Sequence, residues 1–321
     1  MIKIVVLLAF GGIVSGQWSP MNPEEVAFEQ AKCIEDHFKD DFNVAEQWLD
    51  WKLAKGDPKT PCFVKCLAEA LGLYDDQAKA FQPNNINQQY EAYKGDNGVD
   101  PAKAEAIQKE FEKIDVKDGK CESIGRGILK VESANPGILK KIYLIDSAVK
   151  DAIYKKNPQI KPKGVSIFRF CGKQFYTDGE PAYCNVRRHG YSDDEKFIRH
   201  SNCTTRGMRW MKKNGEMDES AILRDLHAVE ENSKDDVVKS SLQNCKAKDE
   251  TKARDYYKCI YDGLGEQLFM KVLDYVEVRS ENYGFRLRKE TSKYDPSAMR
   301  TKVQDLDTAA KCPPVAHGSK K

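Results

Sequence analysis

The amino-acid sequence predicts an all-α protein made of two tandem helical domains stapled by disulfides. Three observations carry this expectation. Helix-start signals and helical apolar spacing recur along most of the chain, ten cysteines divide four and six between its halves, and one proline- and glycine-rich stretch interrupts the pattern near the middle.

Taken in order, the first sixteen residues read as a secretory signal. Lys3 is the sole charge before the apolar run Ile4–Phe10, and the small residues Ser15 and Gly16 suit cleavage after Gly16. The run is too short to anchor the chain in a bilayer, and nothing later is long and apolar enough to do so, so no membrane association is expected. The mature chain is long for one core, which favours two domains. Asn22-Pro23-Glu24-Glu25 supplies a cap, a proline at the first helical position and two first-turn acids. The same grammar recurs at Thr60-Pro61, Asp100-Pro101 and Asn135-Pro136, and Asp218 precedes the amphipathic run 219–231. Ile138, Ile142, Ile145, Val149 and Ile153 keep helical spacing, predicting one long helix from Pro136 to the junction. No stretch alternates with period two for long enough to indicate a sheet. Asn157-Pro158-Gln159-Ile160-Lys161-Pro162-Lys163-Gly164 cannot continue a helix, so the expected domains are residues 17–156 and 157–321, with a mobile tail from Pro313. The formal charge of +2, against 32% charged residues, describes solvated helix faces and gives no global basis for nucleic-acid binding. A monomer is expected.

In a secreted chain the cysteines read as five disulfides. Cys33, Cys62, Cys66 and Cys121 lie in the first half; Cys171, Cys184, Cys203, Cys245, Cys259 and Cys312 lie in the second. No CxxC occurs and the five histidines do not cluster, so no metal is expected. Cys62 and Cys66 sit one helical turn apart and are poorly placed to bond each other. Excluding that pair leaves two pairings in the first half. HExxH, GxSxG and GxxxxGK[ST] are absent, and Gly125-Arg126-Gly127 lacks the rest of a dinucleotide fingerprint, so neither an enzyme nor a cofactor is expected.

A Cys-x3-Cys helix flanked by long-spaced cysteines resembles the insect odorant-binding protein superfamily, and two such domains in tandem resemble the long-form salivary D-seven proteins of blood-feeding mosquitoes. The similarity runs through Trp48-Leu49-Asp50-Trp51, Phe168-Arg169-Phe170-Cys171, Asp255-Tyr256-Tyr257-Lys258-Cys259 and Asp274-Tyr275-Val276-Glu277-Val278-Arg279-Ser280. The resemblance implies the pairings Cys33–Cys66, Cys62–Cys121, Cys171–Cys203, Cys184–Cys312 and Cys245–Cys259. It also implies secretion into saliva and stoichiometric sequestration of small-molecule host mediators: adenine nucleotides such as ADP and ATP, biogenic amines such as serotonin and histamine, cysteinyl leukotrienes and thromboxane-type lipids.

Three candidate sites follow. Lys150 and Tyr154 share a helix face at the domain junction, and Lys155, Lys156, Lys161 and Lys163 follow. Ser280, Asn282, Tyr283, Arg286 and Arg288 lie far along the chain. If the two segments meet between the domains, cations and small polar groups could hold phosphates while the tyrosines stack a purine. The plain alternative is a solvated basic linker and an ordinary arginine-rich helix end. The resemblance favours the nucleotide and assigns Lys150, Tyr154, Lys161, Lys163, Ser280, Asn282, Tyr283 and Arg288. In the second domain, Asp274 and Glu277 share a helix face and could hold an ammonium, with Phe168, Tyr176 and Tyr256 as an aromatic wall. The plain alternative is an acidic face paired with neighbouring cations such as Lys271 and Arg279, and Phe175 stands where amine binders prefer a hydroxyl. In the first domain, Trp48 and Trp51, with Phe28, Phe38, Phe42, Phe63 and Tyr90, could line a lipid tunnel or form the core.

Overall fold

Side chains just ahead of the apolar runs start several helices in the computed structural model, which describes residues 18–54, 56–145 and 147–313 (for 147 and 148, the backbone alone). The expected signal, residues 1–16, and all but the start of the expected mobile tail lie outside these residues. Helix α1 (Pro23–His37) opens on a reciprocal cap. Asn22 Oδ1 accepts from the Glu24 and Glu25 amides at 3.0 Å each, and Glu25 Oε2 accepts from the Asn22 amide at 2.9 Å. Asp41 caps α2 (Phe42–Leu49). Thr60 lies inside α3 (Thr60–Ala70) rather than capping it; Asp57 Oδ2 takes the Thr60 amide and hydroxyl, at 2.9 and 2.6 Å. A two-residue antiparallel pair that alternation did not foretell, β1 (Tyr74–Asp75) with β2 (Ala80–Phe81), precedes α4 (Pro83–Tyr93). Asp100 caps α5 (Pro101–Glu112), and α6 (Cys121–Ala134) follows.

The single helix expected after Pro136 is two, α7 (Ile138–Tyr143) and α8 (Ser147–Lys156). Asn135 closes α6 instead of opening the next helix. Ile145, between α7 and α8, is left-handed at φ 43°. A β-branched residue adopts that conformation only under constraint, and here its side chain is 3% exposed, so burial holds the break.

Beyond the proline stretch run α9 (Ile167–Phe175, capped by Ser166), α10 (Pro181–Arg187), α11 (Glu195–Gly207, capped by Asp194), α12 (Glu219–Ala228, capped by Asp218) and α13 (Asp235–Asn244). They are followed by α14 (Lys252–Leu264), α15 (Glu266–Glu281) and α16 (Pro296–Ala309). Among the described residues no helix is long and apolar enough to cross a membrane.

These elements form two compact units. One takes the chain up to Val26 together with Ala54–Val149; the other takes Ala27–Leu53 and the chain from Lys150 onward. The compact units therefore do not follow the proline stretch alone, because an early segment, 27–53, folds with the later residues. In the first unit Val64, Leu67, Ile86, Ile107, Phe111, Ile124 and Ile128 are buried. A Cβ at Gly125 would lie 2.6 Å from Cα of Pro61, so glycine is required where α6 meets α3. Cys62–Cys121 ties the same two helices. In the second unit Phe168, Phe197, Trp210, Tyr257, Phe269 and Tyr275 centre a large aromatic core. It is stapled by Cys171–Cys203, Cys184–Cys312 and Cys245–Cys259. These four bridges are the pairings that the resemblance implied, and Cys33 and Cys66 are disulfide-bonded as well.

Candidate functional site

All eight residues of the nucleotide candidate belong to the second unit. Lys150 and Tyr154 lie one turn apart on α8, both partly exposed, and Lys155 and Lys156 are exposed at its end. Lys161 is buried, at 5% exposure, and its Nζ donates to the Val165 carbonyl at 2.8 Å and the Pro162 carbonyl at 3.4 Å. The same ammonium stands 5.4 Å from the ring centroid of Tyr283, within range of a cation–π interaction. The Ile167 amide donates to Ser280 Oγ at 2.9 Å, and that hydroxyl donates to the Glu277 carbonyl at 2.9 Å. The 161–167 segment and the end of α15 thus meet, as the nucleotide reading required. Ser280 spends its hydroxyl on that junction rather than presenting it outward. Past the helix, Asn282 is exposed and accepts from the Gly284 amide at 3.1 Å; Tyr283 and Arg286 are half-buried; Arg288 and Lys163 are exposed.

Beneath this junction lies a buried charge network. Arg279, 4% exposed, donates from Nη2 to both oxygens of Glu35, at 3.2 and 3.1 Å, and from Nη1 to Asp225 at 3.1 Å. Trp210 Nε1 donates to the other Asp225 oxygen at 2.8 Å. Burial pushes the Glu35 carboxyl above its ordinary range, against the pull of Arg279, Arg224 and Arg286. Burial alone would depress Arg279, but Glu35, Tyr275 and Asp225 reverse this and raise it, so its charge is secure.

The acid pair of the amine candidate is also buried. Glu277 Oε1 pairs with Arg187 Nη1 and accepts from Ser166 Oγ at 2.8 Å; Asp274 pairs with His189 at 3.2 Å and Arg300 at 3.3 Å. Arg187 reaches Asp307 as well, at 3.0 Å. Lys271 and Arg279, the partners considered from spacing, pair instead with Glu231 and with Glu35 and Asp225. Phe168 lies against His189 with centroids 4.8 Å apart, Tyr176 stacks on Tyr183 at 5.9 Å, and Tyr256 is half-buried. Each carboxylate is thus met by cations of its own unit, which leaves an incoming ammonium to compete with Arg187 and Arg300.

The lipid candidate's aromatics divide between the units. Phe28, Phe38, Phe42, Trp48 and Trp51 belong to the second, Phe63 and Tyr90 to the first. Trp48 is buried at 1%, Trp51 is left-handed at φ 61°, and Phe28 packs edge-on to Tyr283. Sequence reasoning missed Arg187, His189, Glu35 and Asp225. Phe28 and Glu35, seven residues apart on α1, had the spacing of a shared helix face, but nothing in the sequence named the distant partner. Among the described residues no group of three or more His, Cys, Asp or Glu side chains is placed to hold a metal ion.

The pattern of the PBP/GOBP family matches the chain twice, over residues 16–128 and 154–263. The chain is 76% identical to the long form salivary protein D7L1 of Culex quinquefasciatus over 301 residues, 94% of this chain and 96% of that protein. It belongs to the PBP/GOBP family, among the long-form D7 salivary proteins. To the D7L1 protein of Anopheles gambiae it is 30% identical, over 88% of this chain and 91% of that one. The fold is similar to the Culex quinquefasciatus D7 long form 1 solved in complex with ADP, with a TM-score of 0.89 and 76% identity over 92% of this chain and 100% of that one. It is also similar to the AeD7–leukotriene E4 complex, with a TM-score of 0.78 and 25% identity over 95% and 99%. As a family member the protein is a secreted, salivary, ligand-binding protein whose ligands are small molecules, and no catalytic family is indicated.

Proposed function

We propose that the protein sequesters adenine nucleotides, ADP and ATP, without turning them over, and so withholds ADP from platelets. One observation carries this reading: Lys161 and Tyr283, from segments far apart in sequence, meet with the ammonium over the ring. Around them the sequence supplies what a nucleoside diphosphate requires. Exposed Lys163 and Arg288 would take phosphate oxygens, with Lys150 contributing, and Asn282 would add a hydrogen bond. Tyr283 and Tyr154 would flank the purine. Lys161, engaged with two backbone carbonyls, would contribute charge and hold the tyrosine. The role first given to Ser280 narrows to bracing the end of α15. Support also comes from the 76% identical protein that was solved with ADP. The amine reading is weaker because Glu277 is already matched by the buried Arg187 and Asp274 by the half-buried Arg300.

Titration calorimetry with ADP tests the reading. Tyr283→Ala should weaken ADP by roughly 1–3 kcal/mol, the scale of one lost stacking face. Lys163→Ala should weaken ADP more than adenosine, which has no phosphates. An ADP affinity indifferent to both substitutions refutes the site. Release of phosphate or AMP from ADP incubated with protein and a divalent metal refutes sequestration without turnover.

A further inference from the structure

Tyr283 lies past the end of α15, in a turn where no helix ladder fixes its side chain. A half-buried tyrosine in such a place would ordinarily sample several rotamers, and a ligand that stacks on it would have to freeze them. Here the ring is held from two sides. Lys161 Nζ stands over it, and Phe28 meets it edge-to-face with centroids 5.4 Å apart and planes at 85°.

Phe28 is itself immobilised. It is 5% exposed, and the guanidinium carbons of Arg209, Arg224 and Arg279 lie 5.0, 5.6 and 5.6 Å from its ring centroid. Three cations about one ring is an unusual concentration of positive charge for a buried place, and the ring's quadrupole offsets part of their repulsion. Arg279 is pinned in turn by Glu35 and Asp225. Glu35 stands on α1 two turns beyond Phe28, so one helix face supplies both the ring that touches Tyr283 and the carboxylate that fixes the arginine behind it.

We propose that Phe28 is a positioning residue for the nucleotide site: it orients Tyr283 so that the tyrosine is ready to stack on a purine before the ligand arrives. The inference rests on the nucleotide reading above and adds to it a determinant of affinity from the early segment 27–53. Phe28 does not touch the ligand; it acts through Tyr283.

The test is Phe28→Leu, which keeps an apolar side chain and removes the ring, beside Phe28→Tyr, which keeps the ring. ADP affinity is measured by calorimetry across a range of salt concentrations. The leucine variant should bind ADP roughly two- to tenfold more weakly, the scale of one aromatic edge contact. Its slope of log Kd against log salt, which reports the phosphate contacts, should match the wild type. The tyrosine variant should bind as the wild type does. An unchanged affinity in Phe28→Leu overturns the inference. So does a loss of salt slope along with affinity, because the phosphate grip has then gone too, and so does a Phe28→Tyr variant as weak as the leucine one. A wild-type protein that fails to bind ADP removes the nucleotide reading and this inference with it, a result recognisable before any variant is made.

Discussion

Arg187→Met tests the buried ion network of the second unit. The wild-type guanidinium has no exposed side-chain surface, nor has Glu277, and Asp307 retains 15%. Methionine replaces the stem and removes the charge, leaving the buried Glu277 carboxylate and the partly buried Asp307 carboxylate without the cation that lies between them. Removing one partner of a buried ion pair costs about 3–5 kcal/mol, chiefly because the remaining charge stays out of water. For a unit of roughly 200 residues this corresponds to about 6–20 °C in the thermal midpoint. The pH dependence follows from the same physics. Burial already raises the Asp307 carboxyl above its usual range with Arg187 present. Without Arg187 the folded-state value of Asp307 rises further above its unfolded value. A carboxyl raised in this way binds its proton more tightly when folded, so the variant loses stability as pH rises and its deficit is largest at neutral pH. Urea unfolding at about pH 7 and pH 5 measures both quantities. A deficit below about 1 kcal/mol at neutral pH, or one equal at both pH values, would refute the reasoning. Adding Glu277→Leu and Asp307→Leu should recover much of the loss, since no uncompensated charge then remains buried.

Two further outcomes are expected. Cys184–Cys312 spans 128 residues and Cys245–Cys259 spans 14, so loop-closure entropy assigns about 5 and about 3 kcal/mol to them; paired serine variants compared by denaturant unfolding should rank in that order, and the reverse order would contradict the chain-entropy account. Burial, aided by the nearby Arg187 guanidinium, pushes His200 down to about 3. Its imidazole should therefore show no NMR titration between about pH 5 and 8, whereas the unfolded chain takes up its proton near pH 6.5; this one group should remove about 1 kcal/mol of stability between about pH 6.5 and 5.5, a loss absent from His200→Gln.

The sequence by itself determined the features that are local or arithmetical. Asn22, Asp41, Asp100, Asp218 and Asp295 each satisfy helix-start amides within three residues, so their roles need no distant partner. The division of cysteines and the helical spacing marked a disulfide-braced, all-helical chain, and the resemblance supplied the bridge partners. The segments 150–163 and 280–288 could be singled out because their residue types suit a nucleotide.

Tertiary structure decided the rest, because burial and charge compensation are set by residues far apart along the chain. Periodicity read 138–153 as one helix, but packing of Ile145 holds a left-handed break there. Spacing alone left Asp274 and Glu277 as a candidate ammonium clasp; the fold brings Arg187, His189 and Arg300 against them. The same holds for Glu35, 244 residues before Arg279. A carboxylate on an early helix is unremarkable until the chain buries it beside that arginine, where removal from water leaves an ion pair as its stable arrangement. The early segment 27–53 folds with the later residues, and only the folded chain shows that Phe28 lies against Tyr283.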